Sequence, residues 1–167
     1  GAPSPVIRGL IEKNVVLDVA KGVAGDLQAV GATTSMTRRG DTFIALDDRA
    51  AKGNAFRADL FISIHADSAT NRAARGFTIY TPHNPSKGSL AAASAIDRAM
   101  RRHGFISRGI NRTRHLRVLE QSKGPAVLVE TGFLTNVSDA AALNSPAARR
   151  RYAKAIAEGI RDYLSSK

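Results

Sequence analysis

Three side chains in this 167-residue sequence have the types and the neighbours that hydrolytic chemistry needs. His65 ends the apolar run Leu60-Phe61-Ile62-Ser63-Ile64, with Ala66 and Asp67 after it. Glu130 ends a second run, Pro125-Ala126-Val127-Leu128-Val129, and leads into Thr131-Gly132-Phe133-Leu134-Thr135-Asn136. Short apolar runs rich in β-branched residues read as buried strands. The C-terminal ends of strands are where open α/β sheets place their sites. An imidazole and a carboxylate delivered to one sheet edge suit a metal-dependent hydrolase. In such sites zinc takes His and carboxylate ligands, typically three, and keeps one position for water. A further carboxylate, outside the ligand set, moves the proton. In that scheme His65 is a ligand and Glu130 the proton carrier. Glu12, at the loop-to-helix junction Gly9-Leu10-Ile11-Glu12-Lys13-Asn14, is the natural second ligand.

Each residue also has a plainer reading. A lone histidine is more often hydrogen-bonded than metal-bound. Glu12 by itself is an acid favoured by a helix N-terminus. Glu130 could accept backbone N–H bonds, although an acid that follows a run of apolar residues is costly to bury without a partner or a role. The three together favour the metal reading. Asp67 reads as a loop cap or a group behind the ligands. His115 lies in a basic stretch and reads as a surface residue, with substrate contact or replacement of a ligand as its sharper alternatives. His83 and His103 read as loop and helix-end residues. The clusters Arg98-Arg101-Arg102 and Arg149-Arg150-Arg151 read as solvated helix faces.

The elements that must hold these groups follow from periodicity. Residues 1–9 read as a loop. From Glu12 to Val30, apolar Val15, Val16, Val19, Val23, Leu27 and Val30 recur at helical spacing, and Gly31 suits the C-terminal stop. A short strand is expected over Ala32–Thr37, then a loop at Arg38–Asp41. A helix follows over Ile44–Phe56, with Asp47 and Asp48 in its early turns. The strand Leu60–His65 precedes a polar loop and the strand Gly76–Tyr80. Pro82–Lys87 is turn chemistry. Ser89–His103 is an Ala-rich helix stopped by Gly104. Gly109–Arg117 reads as basic and irregular, and Leu116–Leu119 as a candidate short strand. The strand Ala126–Glu130 precedes a short helix over Ser138–Leu143. A terminal helix covers Ala147–Leu164, with Tyr152, Ile156, Ile160 and Tyr163 on one stripe. Strands alternating with helices predict one α/β domain over residues 1–167, a mostly parallel twisted sheet flanked by helices on both faces.

The ordered motifs resemble a known family, the zinc-dependent N-acetylmuramoyl-L-alanine amidases that cleave bacterial peptidoglycan. Gly9–Ala20 resembles the family's glutamate-lysine segment and first helix. Thr37-Arg38-Arg39-Gly40-Asp41, with Leu46 and Arg49, resembles its threonine-arginine stretch. Asp59–Asp67 resembles its serine-isoleucine-histidine-alanine motif, and Pro125–Phe133 with Asn136 its catalytic-glutamate motif. The resemblance implies that Glu12 and His65 bind Zn²⁺ and that Glu130 is the catalytic acid/base. The reaction it implies is hydrolysis of the amide between the lactyl group of N-acetylmuramic acid and L-alanine. The family's first zinc-binding histidine, in a glycine-rich motif after its first strand, has no counterpart here. Gly1-Ala2-Pro3-Ser4-Pro5 precedes the matched segment, so an upstream strand and its ligand are expected to be missing. Tyr80 reaches the Ser89 helix through a short loop, without the long insert of regulated members, which implies an open cleft.

Composition narrows the alternatives. Net charge is +11, which points to a polyanionic partner such as the cell-wall polymer. Aromatics are 5% and Trp is absent, which disfavours a nucleic-acid binder because stacking platforms are scarce. Cys is absent, so disulfide and thiolate-metal chemistry are excluded. No stretch approaches the roughly 20 apolar residues of a membrane span. No export signal is evident at Gly1–Pro5, and extracytoplasmic action (periplasm, cell wall or secreted) is expected from the resemblance. A monomer is expected. The competing reading is a catalytically degenerate peptidoglycan-binding module.

Overall fold

The computed structural model describes residues 1–167. Helix α1 (Glu12–Ala29) buries Val15, Val19, Val23 and Leu27, one side chain per turn. It ends as the glycine predicts: Gly31 takes φ +89°, its N–H bonds to Gln28 O, and Ala32 N–H reaches back to Leu27 O. After helix α2 (Leu46–Phe56) come strands β1 (Phe61–Asp67) and β2 (Phe77–Pro82). Helix α3 (Lys87–Arg102) is capped by the Ser86 hydroxyl, which accepts from Ser89 N–H, and is closed by Gly104 in the same way as α1. Strand β3 (Ser107–Thr113), the short helix α4 (Arg117–Glu120) and strand β4 (Ala126–Phe133) follow. Helices α5 (Val137–Asn144) and α6 (Pro146–Ser165) start on the side-chain caps Asn136 and Ser145.

The four strands lie in the order β1-β4-β2-β3. The pairs β1/β4 and β2/β3 are parallel, and β2/β4 is antiparallel. One face carries the main core: Val127, Val129, Phe77 and Ile79 of the sheet pack with α1, α3, α5 and α6. On the other face α2 and α4 cover only the N-terminal half of β4, through Ala50, Val118 and Leu119 on Ala126 and Leu128. The rest of that face is open, and the site lies on it.

Two expectations fail for reasons of pairing. Ala32–Thr37 forms no strand, because nothing lies beside it to complete a ladder. A cleft of about 1150 Å³ separates it from the free edge of β1, bounded by α1 residues Val16 and Leu17 and by Leu60–His65. The burial pattern reflects an edge strand paired on one side. Ile62 and Ile64 are only half-buried, whereas the equivalent Val127 and Val129 of β4, paired on both sides, are fully buried. The second failure is at residues 107–120. The strand is Ser107–Thr113, in the stretch expected to be irregular, and Leu116–Leu119 is instead part of the α4 turn. The strand was masked by its arginines and Gly109, which an edge strand tolerates because one side faces solvent.

Candidate active site

Parallel pairing places His65 of β1 opposite Glu130 of β4. Strand alternation puts Ser63 and His65 on the same face as Leu128 and Glu130, so the imidazole and the carboxyl are neighbours across one strand spacing of about 4.8 Å. This is the open face.

Glu12 arrives from the other side, in the first turn of α1. The chain before it is tightly fastened. Ser4 N–H bonds to Leu10 O, Glu12 N–H bonds to Ala2 O, and the Ser4 hydroxyl donates to Leu134 O, just past the end of β4. That loop aims Glu12 at β1, where its Oε1 lies 3.1 Å from His65 Nδ1 and accepts from Ala66 N–H at 3.4 Å. The imidazole is gripped on its other side by the Ser63 hydroxyl, 3.0 Å from Nε2. A hydroxyl can donate or accept, so Ser63 holds the ring in either tautomer. Burial by itself would raise the Glu12 carboxyl. The hydrogen bond and charge of His65, with the backbone N–H groups, outweigh burial and hold it below the usual carboxylate range.

Glu130 is the opposite case. Its Oε2 is buried and has no hydrogen-bond partner. Burial, reinforced by repulsion from Asp67 and Glu12 and only partly offset by His65, pushes its carboxyl up to about 7. An acid poised near neutrality beside a cleft is suited to taking and returning a proton. No three His, Asp or Glu side chains come close enough to hold a metal unaided. The chain does bring the two expected ligands, Glu12 and His65, into contact.

The remaining sequence candidates fall elsewhere. The Asp67 carboxylate accepts from Ser68 N–H and caps the loop after β1. His115 is exposed, with its backbone N–H on the Thr113 hydroxyl. His103 sits at the end of α3 and meets Glu158 of α6 at 2.5 Å. His83 lies in the turn after β2. Most of the clustered arginines are paired, Arg101 with Asp97, Arg102 with Glu158 and Asp162, Arg149 with Asp18 and Arg150 with Asp26, whereas Arg98 is exposed.

Two supporting residues escaped the sequence reading. Ser63 stands two positions before His65, and the period-2 rule of a strand could have found it. Buried Asp139 left no such trace. Its Oδ2 accepts from both Gly76 N–H and Phe133 N–H at 2.9 Å, which binds the start of β2 to the end of β4 beyond Glu130.

The open sheet face, the fastened Glu12–His65 pair and the near-neutral Glu130 define a candidate hydrolase centre on an α/β sheet. The model of the N-acetylmuramoyl-L-alanine amidase family matches residues 1–162, and the chain belongs to that family. It is 33% identical over 166 residues to the probable cell wall amidase LytH of Staphylococcus aureus, covering 99% of this chain and 54% of that protein. The chain thus spans about half the length of the curated relatives it matches. Among solved structures it is similar to the N-acetylmuramoyl-L-alanine amidase AmiC2 of Nostoc punctiforme, with a TM-score of 0.91 and 34% identity, covering 99% of this chain and 89% of that one. The catalytic domain of CwlV from Bacillus (Paenibacillus) polymyxa var. colistinus gives 0.90 and 31%, covering 100% and 92%.

Proposed function

We propose that this chain hydrolyses the amide joining N-acetylmuramic acid to L-alanine in peptidoglycan, with zinc as cofactor, and acts outside the cytoplasm. The observation that carries the reading is Glu130, a buried carboxyl with an unpartnered oxygen and a pKa near neutrality, one strand from a histidine–carboxylate pair.

The residues present fit zinc. Glu12 and His65 offer an oxygen and a nitrogen donor 3.1 Å apart, and Glu130, with its orphaned oxygen, lies on the same face of the sheet as His65. These two residues would hold the ion, and both line the cleft beside the free edge of β1. Zinc, when bound, lowers the pKa of water and polarises the scissile carbonyl. Glu130 takes the proton from the attacking water and delivers it to the leaving alanine nitrogen. Ser63 fixes the His65 ring throughout.

The incomplete donor set gives the second reading its one support: a degenerate wall-binding module. Zinc content and dye release from purified peptidoglycan separate the two, measured on this chain and on the chain with its native upstream residues attached. About one zinc per molecule with dye release in the extended chain supports the amidase. Neither zinc nor release in both supports the module. Glu130→Gln should lower turnover by at least about 100-fold while leaving fold and zinc content intact; substantial retained activity would remove Glu130 from the mechanism.

A further inference from the structure

The positive charge of this molecule is unevenly neutralised. On the helical side, Arg101 and Arg102 of α3 and Arg149 and Arg150 of α6 are paired with acids, and Arg98, Arg151 and Arg161 are not. Around β2 and β3, Arg72, Arg75, Arg108, Arg112 and Arg114 form none of the ion pairs in the molecule.

Arg108 is distinguished from these neighbours by being held in place. The β2/β3 pairing shifts register between Phe77 and Ile79, and Gly109 adopts φ +103°. Such a bulge re-aims the side chain it displaces. The Arg108 guanidinium lies over the Phe133 ring, 5.0 Å from its centre. Its Cγ packs where Gly76 has no side chain, and its Nη1 reaches toward Arg75 O at 3.5 Å. Both platforms lie near Glu130 along the chain: Phe133 is three residues beyond it, and Gly76 is two before Thr78, the residue paired with it. The field is shared as well. Burial raises the Tyr80 phenol, Asp67 and Glu130 add to that, and Arg108 opposes them.

A pinned guanidinium with no acid of its own and its remaining N–H groups exposed to solvent is a receptor for a carboxylate. Stacking has already removed much of its rotamer freedom, which lowers the entropic cost of binding. The glycan half of the substrate carries no charge, whereas the peptide half carries carboxylates. We propose that Arg108 receives the free α-carboxylate of the acidic residue that follows L-alanine in the stem peptide. It thereby sets a preference for walls in which that group has not been converted to an amide. This rests on the amidase reading above.

The test uses two muramyl-peptides that differ only in that group, free or amidated. Turnover is measured on the zinc-loaded chain with its native upstream residues attached, and so is equilibrium binding to the Glu130→Gln variant of that chain. The expected result is a KM about tenfold lower for the free substrate, with the same preference in binding. Arg108→Ala should abolish the preference, and Arg108→Lys should restore part of it, since charge is kept and the paired geometry lost. Turnover of both substrates without discrimination, or discrimination that survives Arg108→Ala, overturns the proposal and leaves the amidase reading standing. Arg108-dependent discrimination in binding without turnover upholds the proposal and removes the amidase reading.

Discussion

Glu130 holds its proton near neutrality because burial disfavours its charged form and Asp67 and Glu12 repel it. That has a consequence for stability. The unfolded chain releases this proton near pH 4.5 and the folded chain only near pH 7, so between these values the folded state binds more protons. Stability is therefore full below about pH 4.5, falls as pH rises, and reaches its floor above pH 7. The shift corresponds to a loss on the order of 3 kcal/mol. Glu130→Gln lacks this titration. Denaturant melts in chelator-treated buffer should show the variant gaining on the parent by about that amount between pH 4 and pH 8. A gap independent of pH would mean that the Glu130 carboxyl is solvated and its burial relieved. Glu12, with its carboxylate already stabilised by His65, contributes in the opposite sense.

At the scale of elements, the site depends on how closely α6 and α3 pack behind the sheet. A Cβ on Gly159 would lie 2.5 Å from Ile96 Cα and 3.0 Å from Ala95 O, both backbone atoms of α3 that cannot swing aside. Helix propensity alone would make Gly159→Ala favourable by about 1 kcal/mol. Overpacking against backbone costs about 3 kcal/mol or more, so the clash wins. Thermal unfolding should show Gly159→Ala melting several degrees below the parent. An unchanged or raised melting temperature would mean that the two helices are free to separate. The free edge of β1 is the other element-level feature. Paired on one side only, it leaves Ile62 and Ile64 half-buried and a cleft toward residues 32–37.

For the molecule as a whole, the +11 charge is the dominant long-range property. Ion pairs neutralise part of it on the helical side, whereas Arg72, Arg75, Arg108, Arg112 and Arg114 near β2 and β3 have no acid partner. On the proposed function this charge draws the anionic wall polymer to the protein, an attraction that weakens with salt. Retention on purified walls, read by sedimentation, should fall steeply as NaCl rises from about 0.05 to about 0.5 M. Retention that holds across that range would assign wall binding to uncharged contacts. No helix is long and apolar enough to cross a membrane.

What the sequence determined by itself is what local physics controls. The valine spacing of α1, the closing glycines Gly31 and Gly104, and the apolar run into Glu130 each fix an element through neighbours a few residues away. His65 and Glu130 were legible because each interrupts an apolar strand with a costly polar group. The rest depended on pairing across long sequence distances. Residues 32–37 could not become a strand without a partner beside them, and the arginine-rich 107–113 became one because β2 lay alongside. Only the tertiary structure decided that Glu12 reaches His65, that Asp139 binds β2 to β4, and that Arg108 stands over Phe133. Those contacts join segments between 6 and 63 residues apart, and nothing in the local pattern encodes them.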